Sequence, residues 1–164
     1  MGTGQMLLTM SAMMLLSMLI LRTNNSFLIT NSLLYDTKFE VLAVSLGTSI
    51  IEEANSKAFD AVTDTASVSS TSELTIVSLL GPETGETYEN YNDFDDFDGY
   101  TRVDTSMPSA NFNITCQVDY VSDANPDGAL STASWNKKIT VYVTSASMTD
   151  TVTMSSIYSY WFFR

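Results

Sequence analysis

The order of apolar and polar positions divides the chain into stretches with different periods. Residues 5–21, QMLLTMSAMMLLSMLIL, place apolar side chains on every face of a helix, interrupted only by Gln5, Thr9, Ser11 and Ser17. Leu, Met and Ala are strong helix formers, and neither Pro nor Gly breaks the run. A helix that is apolar all round is buried in protein or in lipid, and about 20 such residues cross a bilayer. Residues 23–32, TNNSFLITNS, follow Arg22 and are rich in side chains that compete with helical backbone. The helical pattern resumes over residues 35–59. Phe39, Ala43, Leu46, Ile50, Ala54 and Ala58 recur three or four apart and make one apolar stripe, the mark of an amphipathic helix. Gly47 is its weak position, and Glu53 and Lys57 are spaced for an i,i+4 ion pair.

From about Thr63 the period changes. DTASVSSTSE is polar and loop-like, and LTIVSLL at 74–80 is a short apolar run read as a strand. Residues 111–121, NFNITCQVDYV, alternate strictly, so Phe112, Ile114, Cys116, Val118 and Tyr120 share one face. Ile139, Val141 and Val143 share a face in the next such run, and DTVTMSSIYSYWFFR reads as a last strand. Asn125-Pro126-Asp127-Gly128 is a turn signal. Strands with one apolar face each call for an antiparallel sheet with a cover on its inner side, and the amphipathic helix supplies that cover.

The expected fold class is therefore α+β: a long N-terminal α-helix packed on a C-terminal antiparallel β-sheet head. Residues 1–36 form a protruding hydrophobic helix and residues 37–164 the head. A continuous helix over residues 5–60 would be on the order of 80 Å long at ~1.5 Å per residue. The Thr23–Ser32 stretch is where it bends or unwinds, or where a loop joins two separate helices.

Charge narrows the function classes. Lys and Arg total 7 against 19 Asp and Glu, a net charge of −12, which argues against nucleic acid as a partner. The cations are scattered, and only Lys137 and Lys138 are adjacent. There is no histidine, so Ser-His and Cys-His catalysis are excluded. Lys-based or two-carboxylate chemistry is left open with no motif to support it, and the chain reads as no enzyme. The single Cys116 makes no intramolecular disulfide and reads as a small buried hydrophobe.

Three readings fit the apolar N-terminal segment. It lacks the basic n-region and the small-x-small cleavage site of a secretory signal peptide. It is long enough for a single-pass anchor. A helix stored in the membrane and later packed into a fibre core accounts for more, because the helical pattern continues past the membrane boundary.

This layout, a hydrophobic N-terminal helix continued by an amphipathic half packed on an antiparallel sheet, resembles the type IV pilin and pseudopilin family. Gly4 followed by QMLLTMSAMMLL looks like the junction at which that family's leader is cut. The family's early glutamate, which pairs with a neighbour's N-terminus, falls on Thr9 if cleavage follows Gly4, or on Gln5 if Met1 is the mature start. Neither is charged, so that ion pair has no counterpart, and losing both a buried charge and its need for a partner is tolerable. The resemblance implies a structural subunit of an extracellular pilus-like filament. Its precursor would sit in the inner membrane, and its partners would be copies of itself in a helical homopolymer. The polymerisation core would be Gln5, Met6, Leu7, Leu8, Met10, Met13, Met14, Leu15, Leu16, Met18, Leu19, Ile20 and Leu21. The alternatives are a minor pseudopilin of a type II secretion-like machine and a monomeric membrane-anchored binding module.

Two further features carry chemistry. Asp93, Asp95, Asp96 and Asp98 before Gly99 suit a hard cation such as Ca²⁺, although the spacing is not that of an EF-hand. The competing reading is an acidic turn whose carboxylates cap backbone amides while Phe94 and Phe97 dock on the head. Asn24 and Asn113 each open an N-x-[ST] glycosylation triplet. No cofactor is expected beyond that Ca²⁺.

Overall fold

The computed structural model describes residues 2–161. The element order is α1 (Thr3–Asn55), α2 (Ala61–Thr65), β1 (Thr101–Asp104), β2 (Phe112–Ser122), β3 (Asn125–Ala129), β4 (Asn136–Thr144) and β5 (Val152–Ser159), with four single 3-10 turns between α2 and β1. The chain divides into two compact units, one through Lys38 and one from Phe39 onward.

In the first unit α1 is an unbroken helix, and the expected bend, unwinding or loop at Thr23–Ser32 is not there. The threonine hydroxyls of this stretch are turned back on the helix. Thr23 Oγ1 donates to Leu19 O at 2.9 Å and Thr30 Oγ1 to Ser26 O at 2.9 Å. Bonded back to the preceding turn, these hydroxyls do not compete for the helix's own amides. The same device recurs at Thr9, Ser11 and Thr37.

In the second unit the remainder of α1 lies on the sheet. Its buried residues are Phe39, Ala43, Gly47, Ile50 and Ala54: Gly47 takes the place expected of Leu46, which is only half-buried at the edge of the core. A Cβ on Gly47 would stand 3.0 Å from Met154 Sδ and 3.6 Å from Val143 Cγ2. The glycine that weakens the helix pattern is thus the point of close approach to β4 and β5. Ala58 lies past the helix end. So does Lys57, whose expected pair with Glu53 does not form: Lys57 Nζ donates to Tyr91 O at 2.7 Å, and Glu53 accepts from the Tyr88 hydroxyl. Both side chains tie down the segment around residues 88–91 instead.

The sheet is antiparallel with five strands in the order β1-β2-β4-β5, and β3 pairs with β2. β2 and β4 pair from Asn113↔Thr144 to Tyr120↔Lys137, and β4 and β5 from Asn136↔Ser159 to Val143↔Val152. Phe112, Ile114, Cys116, Val118 and Tyr120 are buried on β2, and Ile139, Val141 and Val143 on β4. Burying the Cys116 thiol pushes its pKa up to about 12, so it stays a protonated core group.

Two local expectations are corrected. Residues 74–80 form no strand; Val77–Leu79 is a 3-10 turn. Leu74 is buried beside Phe59, Tyr120 and Tyr160, but Ile76 and Leu79 are exposed, so the run has no sheet face to complete. Asn125-Pro126-Asp127-Gly128 is not the hairpin turn. Asp123 and Ala124 turn the chain, and the NPDG residues lie in β3 as a bulge, where Ser122 faces Asn125 and Val121 faces Ala129. A bulge accepts Pro and Gly as readily as a turn does.

Candidate functional site

The unusual chemistry of the second unit sits at one end of β4. Alternation along β4 puts Lys137 on the same face as Ile139 and Val141, and its side chain is 0% exposed. An ammonium has three donors and no acceptor, and all three are used. Lys137 Nζ donates to Phe59 O at 2.8 Å, to Asp60 Oδ2 at 2.9 Å and to Asp95 Oδ1. The Phe59 ring lies 4.7 Å from Nζ and the Tyr120 ring 5.2 Å from it. Cation–π attraction adds to the ion pairs where water is excluded.

Local structure aims each partner. Asp60 is the N-cap of α2. Its Oδ1 accepts from Val62 N at 3.3 Å, and Thr63 Oγ1 accepts from Asp60 N at 2.9 Å, a capping-box arrangement. Asp60 also accepts from Thr75 N at 3.0 Å and Thr75 Oγ1 at 3.2 Å, while the Tyr120 hydroxyl lies 3.3 Å from Oδ2. Burial alone would raise its pKa. The Lys137 charge and these donors outweigh burial and hold Asp60 below the ordinary carboxylate range, so it stays ionised.

The acidic segment is brought in by a short parallel bridge between Ala58 and Asp93. Ala58 N donates to Asn92 O at 3.1 Å and Phe94 N to Ala58 O at 2.9 Å. Asp93, Asp95 and Asp96 are then buried, as are Phe94 and Phe97. Asp93 Oδ1 caps the amides of Asp95 at 2.9 Å and Asp96 at 3.2 Å. Asp96 Oδ2 caps Asn92 N at 2.8 Å and Asp93 N at 3.0 Å. Asp98 Oδ1 accepts from Val118 N on β2 at 2.8 Å. Gly99, at φ +71°, makes the turn that follows.

The four aspartates do not converge on one point. Asp95 turns to Lys137, Asp98 to β2, and Asp93 and Asp96 to backbone amides. Asp96 also meets two carboxylates outside the segment: one oxygen each from Asp96, Glu83 and Glu86 lie within 4.8 Å of one another. Burial, with help from the Glu83 side chain and the Asp96 charge, pushes Glu86 up to about 7. Asp93 is pushed up to about 9, by burial first and by the Asp95 carboxylate next, so it holds its proton at neutral pH. Asp93 Oδ2 and Asp96 Oδ1 are buried with no hydrogen-bond partner. Asp95 is raised by burial and drawn back by Lys137.

No family model, curated protein or solved structure matches this chain. Its chemistry therefore has to be read from its own side chains.

The other anticipated residues fall as follows. Gly4 lies in the first turn of α1, with nothing within 4 Å of a Cβ built on it. Gln5, Leu7 and the rest of the expected polymerisation core through Leu21 line α1 and are exposed on every side. Asn24 is exposed on α1, and Asn113 is exposed on β2 between Val103 and Thr144. What sequence reasoning missed is Lys137. The signal was there, because Lys137 has the parity of Ile139 and Val141, but a charged side chain at a strand start is ordinarily placed in solvent.

Proposed function

We propose that the chain is the structural subunit of a homopolymeric filament with a type IV pilin-like layout, held together by the N-terminal part of α1. The supporting observation is the exposure of that helix. Leu8 is 73% exposed, Met14 79% and Leu21 69%, with no buried side chain among residues 2–38. Its hydroxyls are turned inward, since Thr9 Oγ1 donates to Met6 O at 2.9 Å and Ser11 Oγ to Leu7 O at 2.7 Å. Thr9, at the family's glutamate position, therefore offers an apolar surface with no polar demand left over. An exposed apolar surface of this size marks an interaction or membrane site.

A helix of this length and composition is compatible with a bilayer span, which makes the membrane-anchored monomer the second reading. The extent of apolar exposure favours the polymer. Beyond Leu21, the side chains of Phe27, Leu28, Ile29, Leu33, Leu34 and Tyr35 are also exposed. From Met6 to Tyr35 the helix rises roughly 45 Å at ~1.5 Å per residue, against a hydrocarbon core of about 30 Å. Lipid covers only part of it, and neighbouring helices cover all of it. Negative-stain microscopy of material sheared from the producing cells, with N-terminal sequencing of the fibre protein, tests the reading. Fibres whose subunit begins within the first residues of α1 are expected. Cells that carry the protein with no fibre containing it would refute the proposal.

A further inference from the structure

We infer that the head seals itself with an amide bond between Lys137 Nζ and the side-chain carboxyl of Asp95. The geometry carries this inference independently of filament formation. A nucleophilic amine, a carboxyl in direct contact with it and a second carboxylate on the same nitrogen are all buried in a pocket walled by Phe59 and Tyr120. Because Nζ touches Asp95 Oδ1, Cγ lies no more than one bond length beyond that contact, near the ~3–3.5 Å separation of an attack-ready pair. Phe59 O and Asp60 Oδ2 hold the nitrogen from its other sides. An ion pair with no such function is a costly occupant of an apolar pocket. Condensation removes both charges and leaves a neutral amide whose N–H still faces Asp60.

The four groups divide the work. Asp60, kept ionised by Lys137 and the Thr75 and Val62 amides, takes one proton from the ammonium and frees the amine. Asp93, protonated beside Asp95 and with Oδ2 unpaired, gives its proton to an Asp95 oxygen and so makes Cγ electrophilic. The Nζ lone pair attacks Cγ and forms the C–N bond, giving a tetrahedral centre with one hydroxyl and one oxyanion. The nitrogen returns a proton to Asp93. The proton on Asp60 passes to the hydroxyl, the C–O bond breaks, and water leaves. One ammonium and one carboxylate have become one amide and one water, and Asp60 and Asp93 end as they began. No oxidant, energy source or second protein is needed, and exclusion of water favours the condensed product. Asp93 and Asp60 are positioning and proton-transfer groups, and only Lys137 and Asp95 form the bond.

The bond would tie the acidic segment to β4 and close a loop of chain that contains β1, β2 and β3. A chain with the single thiol Cys116 has no intramolecular disulfide to do this.

The test is a tryptic digest of the full-length chain, solubilised in detergent and then denatured, read by mass spectrometry. Trypsin cuts after Lys57, Arg102, Lys137 and Lys138, but an amide on Nζ blocks the cut after Lys137. Residues 58–102 and 103–138 are expected as one linked species, lighter than their sum by one water, with fragment ions placing the link at Asp95. Lys137→Arg keeps the charge but not the amine, and should release two separate peptides. Asp60→Asn should abolish or greatly slow linkage in a chain that still folds by circular dichroism. Complete cleavage after Lys137 in the unsubstituted chain, with no linked species, overturns the inference without relying on any variant. A link mapped to Asp60 overturns the assignment of Asp95 as acceptor.

Discussion

The helix through Lys38 and the pocket around Lys137 are opposite answers to the same solvent. On the helix, apolar side chains face outward and the few hydroxyls fold back on their own backbone. In the pocket, charged side chains face inward and every ammonium donor finds an oxygen. In the head the Lys137 ammonium, Asp60 and Asp95 find their partners within the same unit. The helix is incomplete because nothing in its own unit covers it. What separates the two regions is where each side chain finds its partner rather than composition alone.

The comparison can be broken from the helix side first. Leu15→Asp puts a carboxylate into a surface that, once covered, offers no partner. Polymer should be lost entirely while the head keeps its circular dichroism spectrum and melting temperature. Fibres at normal yield would mean that Leu15 is not covered.

Breaking it from the pocket side should unfold rather than disassemble. Lys137→Met keeps much of the volume but leaves Asp60 and Asp95 facing each other without a cation. Losing one member of a buried ion network costs about 3–5 kcal/mol, and Lys137→Met removes the inferred amide as well, so the denaturant midpoint should fall by at least that much. Adding Asp95→Leu to Lys137→Met should recover part of that loss.

A smaller effect comes from pH. The folded pKa of Asp93 lies near 9, far above its ordinary 3.8. A carboxyl raised on folding binds more protons in the native state than in the unfolded chain between those values. Its contribution is full below about pH 4 and is lost as pH rises toward 9. Glu86, raised to about 7, adds in the same direction between its ordinary 4.5 and 7. Stability should therefore fall from mildly acid to alkaline pH, with Asp93 contributing over the wider pH range. Asp93→Asn, which mimics the protonated form and can still cap the Asp95 and Asp96 amides, should flatten the melting-temperature profile on the alkaline side. An unchanged profile would show that Asp93 is ionised in the fold.

The smallest predicted effect sharpens the contact between α1 and the sheet. Gly47→Ala gains helix propensity of up to about 1 kcal/mol but puts a methyl 3.0 Å from Met154 Sδ. The flexible Met side chain absorbs part of the clash, so the net change should stay within about 1 kcal/mol of zero by chemical denaturation.

These cases mark where sequence patterns stop being informative. The sheet faces of β2 and β4 were legible because alternation is local: Phe112 through Tyr120 needed no knowledge of partners. The continuity of α1 was not, because TNNSFLITNS has the composition of a turn, while in the structure Thr23 and Thr30 turn their hydroxyls to Leu19 O and Ser26 O and leave the helical amides alone. The acidic segment read as ligands for a cation or as a solvated cap. Its amide capping and the docking of Phe94 and Phe97 were foreseen, but its burial was not, since burial depends on Lys137, 42 positions from Asp95 in sequence. Leu74 to Leu80 failed as a strand for the same reason, because strand formation needs a neighbour that the run itself cannot specify.

The central claim, that sister copies cover the helix, is tested most directly by the state of the purified full-length chain once detergent is removed, followed by light scattering and negative-stain microscopy. Ordered polymers of uniform width are predicted. A stable, soluble monomer with α1 intact would contradict the account.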